Sequence, residues 1–172
     1  MSYKSELLSA NAKLAEDPAR IFVGYGLTRG RAAGTIPTTA RVLETPVAEN
    51  LMVGAALGLA LAGQKPVVYF ERFDFILNAL DAIVNHLDKA PTLSRGEFSP
   101  AVILRITVGN KEKPLFTGAP HTQDFTDALR LMVRFPVFAL LYEDQIASTY
   151  ALAAQAQANG TSCALIEYKD LW

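Results

Sequence analysis

The sequence holds one cysteine, two histidines and one tryptophan in 172 residues, and its formal net charge is only −1. A single cysteine excludes an intrachain disulfide. The uncharged setting of Cys163, between Thr161-Ser162 and Ala164-Leu165, fits a buried structural thiol better than a nucleophile. His86 and His121 are too far apart in sequence to build a metal cluster with it by local spacing. A near-neutral chain offers no footprint for a nucleic-acid backbone or an anionic membrane. The longest apolar run, Leu51 to Gly63, falls short of the ~20 residues that a membrane span needs. The opening Met1-Ser2-Tyr3-Lys4-Ser5-Glu6 has no apolar signal core, so a cytoplasmic location is expected.

What the chain does have is apolar bulk: 51% hydrophobic against 19% charged residues, enough for one domain, residues 1–172, with a full core. Leucines and alanines at helical spacing predict a helix over 5–16, stopped by Asp17-Pro18. Short apolar runs at 21–23, 41–44, 67–70, 101–106, 137–141 and 163–167 predict six strands. Between them, helices are expected over about 45–62, 73–88, 122–135 and 144–158, the first of these with Thr45 as its N-cap and Pro46 as its first residue. Strands separated by helices require crossover connections. The fold class is therefore α/β: three α/β/α layers around a mostly parallel sheet of about six strands.

Ligands in such sheets gather at the carboxyl ends of the strands. Two strand-to-helix junctions stand out, Glu44-Thr45-Pro46-Val47-Ala48-Glu49-Asn50 and Tyr69-Phe70-Glu71-Arg72-Phe73-Asp74-Phe75. By position alone, Glu49 is either a dipole-complementing carboxylate at a helix start or a carboxylate held in an apolar site, able to share a proton with a ligand base. Phe70, Phe73 and Phe75 are either core residues or a platform for a ligand. Gly54 and Gly58, four apart, give a helix face almost without side chains, for packing either onto the sheet or against another subunit.

The ordered series Arg41-Val42…Thr45-Pro46-Val47-Ala48-Glu49, Val53-Gly54-Ala55-Ala56-Leu57-Gly58, Ala62-Gly63-Gln64-Lys65-Pro66-Val67, Phe70-Glu71-Arg72-Phe73-Asp74-Phe75, Ala82-Ile83 and His121-Thr122-Gln123 resembles a known family. That family is the pyrimidine-binding domain of transketolase-like thiamine-diphosphate enzymes, in particular the 2-oxoacid dehydrogenase E1 beta subunit. The resemblance implies that Glu49 hydrogen-bonds the N1′ nitrogen of the cofactor's aminopyrimidine and assists removal of the thiazolium C2 proton. It implies that Phe75 packs on the pyrimidine with Phe73 as supporting wall, that Asn78 belongs to the same cofactor-binding set, and that His121 faces the substrate. It also makes the Gly54/Gly58 face a subunit interface. His86 receives no role.

This chain departs from the pattern at Glu71, where the family has an apolar residue. It departs again in a longer segment between Arg105 and His121 and a shorter loop over 27–39. It contains no Gly-Asp-Gly, the motif that holds the cofactor's diphosphate through Mg²⁺, and it ends where an E1 beta subunit continues into a C-terminal domain. The expectation is a pyrimidine-domain subunit of an enzyme acting on a 2-oxo acid or ketose. A diphosphate-binding, E1 alpha-like partner would hold Mg²⁺, in a homodimer or heterotetramer. The alternative is a non-catalytic subunit that keeps the fold and the interface without turnover.

Overall fold

In the computed structural model, which describes residues 2–114 and 118–172, all six strands run parallel in one sheet. In chain order the elements are α1 (Tyr3–Ala15), β1 (Arg20–Gly24), a one-turn α2 (Arg31–Gly34), β2 (Val42–Glu44), α3 (Glu49–Leu61), β3 (Lys65–Phe70), a one-turn α4 (Ala90–Leu93), β4 (Ile103–Val108), α5 (Thr126–Met132), β5 (Val137–Leu140), α6 (Ile146–Ala158) and β6 (Cys163–Tyr168). The sheet order is β2-β1-β3-β4-β6-β5.

Adjacent strand residues point to opposite faces, so each strand feeds two cores. Val23, Val68, Leu104, Ile106 and Ile166 pack with α3 and the segment 73–87 on one face. Phe22, Val67, Tyr69, Ile103 and Leu165 pack with α1 and α6 on the other. The second face also contains a buried ionic cluster. Arg105 donates from Nε and Nη2 to the two carboxylate oxygens of Glu167 at 2.7 and 2.8 Å. Nη2 also donates to Thr35 at 3.0 Å, and Tyr150 donates to Glu167 at 2.5 Å. These bonds fix α2 and α6 to the centre of the sheet.

Several helix boundaries differ from those expected. Thr45 does not cap a helix: its N–H donates to the Gly24 carbonyl at 2.9 Å, continuing the β1–β2 ladder, and α3 begins only at Glu49 after Ala48. The segment expected as one helix over 73–88 is a 3-10 turn (Phe73–Ala79) followed by a π-helix (Ala82–Leu87). The helix expected over 122–135 is reduced to α5. Asp124 accepts from the Thr126 N–H at 2.9 Å before it starts, and Val133 is extended, three residues ahead of Pro136. Within the long segment between Arg105 and His121, residues 115–117 lie outside the described residues.

Candidate functional site

The chain leaves β1 for the edge strand β2 and then returns through α3 to β3, on the far side of β1. Connections leaving neighbouring strands in opposite directions open a crevice at their carboxyl ends. Gly24 ends β1 there, and a Cβ on it would stand 2.9 Å from the Tyr69 carbonyl oxygen, so only glycine lets the two strands approach this closely. The turn beyond is held by Glu44. Its carboxylate accepts the backbone N–H groups of Gly26, Leu27 and Thr28 at 2.6, 2.9 and 2.6 Å. Burial raises the Glu44 pKa, but these bonds, led by Thr28, outweigh it and hold the carboxyl below its usual range.

Glu49 opens α3 from the floor of this crevice. It is 4% exposed, although it is a carboxylate. Asn78, from the 3-10 turn, donates to its Oε2 at 3.4 Å. Its Oε1 is buried with no hydrogen-bond partner among the described residues, and so are the hydroxyls of Tyr25 and Thr45. Burial first, then the charges of Glu49 and Glu71, push the Tyr25 phenol well above its ordinary value and keep it protonated. Buried polar atoms without partners are uncommon, because each costs about 1–3 kcal/mol. A carboxylate oxygen and two hydroxyls left open in one region match a flat heteroaromatic ring carrying nitrogen donors and acceptors, which an aminopyrimidine provides.

Phe75 is half-buried, and its ring meets the His121 ring edge-on, with centroids 5.3 Å apart and planes at 86°. Two ties seat the His121 segment. Asp74 accepts from Gln123 Nε2 at 2.8 Å, joining the 3-10 turn to the residues after His121. Gly109 admits the His121 carbonyl, which would lie only 1.8 Å from a Cβ at that position. Phe73 corrects an expectation. It has no exposed surface and packs edge-on against Phe125 in the core, so it supports the site from behind and presents no wall to a ligand. Glu71 Oε1 lies 3.5 Å from Arg72 Nη1 and 3.8 Å from Lys169 Nζ. His86 lies on the surface, 3.3 Å from Asp81.

Gly54 and Gly58 do not face the sheet. Both are exposed, and a Cβ on either would meet nothing within 4 Å. Leu51 and Leu61 share that outward face and are 52% and 51% exposed, while no residue of α3 after Glu49 is charged. An all-apolar helix with one open face is built to be covered.

The structure thus gathers Glu49 with Asn78, and Phe75 with His121, as the sequence suggested. It adds Tyr25, Thr45, Asp74 and Gly109, to which that reading gave no place in the site. Only Tyr25 carried a local signal, an aromatic between two glycines directly after a strand.

Several known proteins are similar to this chain. The mitochondrial pyruvate dehydrogenase E1 component subunit beta of Saccharomyces cerevisiae is 37% identical over 86 residues, covering 50% of this chain and 23% of that protein. Subunit beta-2 of the same component from Oryza sativa subsp. japonica is 37% identical over 133 residues, covering 72% and 34%. The 2-oxoisovalerate dehydrogenase subunit beta of Bacillus subtilis is 30% identical over 118 residues, covering 63% and 36%. The chain therefore matches only about a quarter to a third of the length of these relatives. A solved structure described as a split gene transketolase, inactive beta4 tetramer, superposes with a TM-score of 0.64 at 16% identity over 98% of this chain and 52% of its own, which shows the shared fold. The family described as transketolase, pyrimidine binding domain, matches residues 4–171, and the chain belongs to it.

Proposed function

We propose that this chain is the pyrimidine-domain subunit of a thiamine-diphosphate-dependent enzyme acting on a 2-oxo acid or ketose, with Glu49 as the carboxylate that activates the aminopyrimidine. The observation that carries this reading is the open Oε1 of a glutamate only 4% exposed, at the sheet's switch point. When bound, the cofactor supplies the carbanion chemistry. Glu49 would accept and return a proton at the ring nitrogen through a charge-assisted hydrogen bond in a dry site. Asn78 steadies the other carboxylate oxygen. Phe75 offers an aromatic wall, and His121 at its edge faces the substrate side. Tyr25, kept protonated, is a donor in the same crevice.

The sequence has no Gly-Asp-Gly, so the diphosphate and its Mg²⁺ would be held by an E1 alpha-like partner. The bare face of α3 would pack on another subunit, giving a homodimer or heterotetramer. The names of the relatives, two pyruvate dehydrogenase subunits and one 2-oxoisovalerate dehydrogenase subunit, favour a 2-oxo acid over a ketose. A second reading, a non-catalytic assembly subunit, draws on the same α3 face, which would serve assembly with or without turnover.

Co-expression with a diphosphate-binding subunit separates the two. The proposal expects a complex that binds thiamine diphosphate and turns over a 2-oxo acid, with turnover lost in Glu49→Gln. A complex that binds the cofactor and keeps full activity in Glu49→Gln would overturn the role of Glu49. A stable complex with no turnover in the unmodified chain would favour the assembly subunit.

A further inference from the structure

Beside the Glu49 crevice, two cations share a single carboxylate oxygen. Glu71 Oε1 is 3.5 Å from Arg72 Nη1 and 3.8 Å from Lys169 Nζ, both longer than the ~2.7–2.9 Å of a formed charge-assisted hydrogen bond. Arg72 is 5% exposed, and its Nε is buried with no partner among the described residues. Its Nη1 otherwise donates to the Glu71 carbonyl at 2.6 Å. The Lys169 side chain is 15% exposed, whereas that of Glu71 is 43% exposed. Glu167, two residues before Lys169, is taken up by Arg105 and Tyr150. Lys169 Nζ also lies 5.1 Å from the centroid of the Trp172 ring, a weak partner for a charge. Positive charge here is therefore buried and under-compensated, and among the described residues the one carboxylate within 4 Å of both cations reaches them loosely from the solvent side.

The location matters as much as the charge. A Cβ on Gly109 would lie 3.4 Å from Arg72 Cδ as well as against the His121 carbonyl. Arg72 thus adjoins the segment that carries His121 and sets it against Phe75. We propose that Arg72 and Lys169 form a seat for the carboxylate of a small organic acid, with Glu71 as an internal counterion that the acid displaces. The seat rests on the function proposed above, in which it would hold the acid group of a 2-oxo acid whose carbonyl carbon reacts beside Glu49. It also narrows that function, since a ketose has no carboxylate to place there. Burial first, then the charges of Arg72 and, more weakly, Lys4 of α1, lower the Lys169 pKa to about 8, against the opposing pull of Glu71 and Glu167. An anion that binds the charged form raises that pKa, so affinity must fall as the pH rises through about 8.

The test titrates pyruvate into the full chain carrying ¹³C-dimethylated lysines, with the Lys169 signal assigned by its absence in Lys169→Arg. Pyruvate should raise the pH at which that signal titrates, and the neutral analogue pyruvamide should not. Glu71→Gln should tighten pyruvate binding about tenfold and Lys169→Met weaken it about tenfold, the scale of one charged hydrogen bond. Lys169→Arg should bind pyruvate with little change in affinity between pH 7 and 9. Equal affinities in the unmodified chain and Glu71→Gln, or equal responses to pyruvate and pyruvamide, would overturn the seat. The titration needs neither cofactor nor partner. Loss of the pyruvate response therefore counts against this seat, whereas a complex that fails to bind thiamine diphosphate while the response persists counts against the reading of Glu49.

Discussion

Asn78 reaches Glu49 at 3.4 Å on one carboxylate oxygen, while the other is buried and open. The pair joins the first residue of α3 to the 3-10 turn that follows β3, so the geometry of the carboxylate depends on two elements separated by 29 positions. Such a group is positioned before any ligand arrives, which is what proton exchange with a ring nitrogen requires. Its surroundings can be tested piece by piece.

Gly109 has no room for a side chain, because the His121 carbonyl occupies the place of its Cβ. Gly109→Ala should destabilise the chain by about 1–3 kcal/mol, as overpacking does, and displace His121 from Phe75. Thermal denaturation reads the first effect. The second appears as a shifted His121 ring resonance, with the signals of α6 residues unchanged.

Arg105 and Glu167 form a fully buried ion pair. Glu167→Gln should cost roughly 3–5 kcal/mol, because the guanidinium keeps its charge without a counter-charge. The double replacement Arg105→Met with Glu167→Leu should cost much less than the sum of the single changes. Urea unfolding of the three variants decides this; additive costs would show that the two residues act independently.

Gly58 lies on the open face of α3. Gly58→Ala should raise the stability of the isolated fold by up to about 1 kcal/mol through helix propensity alone. Gly58→Leu should leave the fold intact but dissociate the assembly, because the partner backbone could no longer approach. Sedimentation velocity on both variants checks the pair.

Glu44 has a depressed folded-state pKa, so its contribution to stability is present above the unfolded carboxyl value of about 4.5 and is lost as the pH falls through the folded value. Glu44→Gln should therefore lower the melting temperature at pH 7, and this difference should close on acidification below pH 4.5. A difference that persists undiminished at pH 3 would mean that the carboxylate charge has no part in holding the Gly26–Thr28 turn.

The strands were legible because each is a short apolar run between turn residues, and a parallel sheet covered on both faces needs nothing more elaborate. Glu49 and Phe75 stood out by position with two readings each, and only the ordered resemblance gave them, Asn78 and His121 a place in a candidate site, since each of them alone also fits an ordinary structural role. The false start of α3 at Thr45 arose because a Thr-Pro pair resembles a cap, while the ladder bond to Gly24 is set by a distant strand. Phe73 was misplaced because neighbouring aromatics on an irregular turn diverge: Phe73 packs on Phe125 in the core and half-buried Phe75 on the His121 ring. Glu44 and Gly109 act on residues up to 18 and 12 positions away respectively, across loops that no periodicity describes.

The most direct measurement of the central claim is the deuterium exchange rate of the thiazolium C2 proton of thiamine diphosphate bound to the complex of this chain with a diphosphate-binding subunit. Fast exchange in the unmodified complex, slowed by about 10²-fold or more in Glu49→Gln at equal cofactor occupancy, is the predicted result. Equal exchange rates in the two complexes would contradict it.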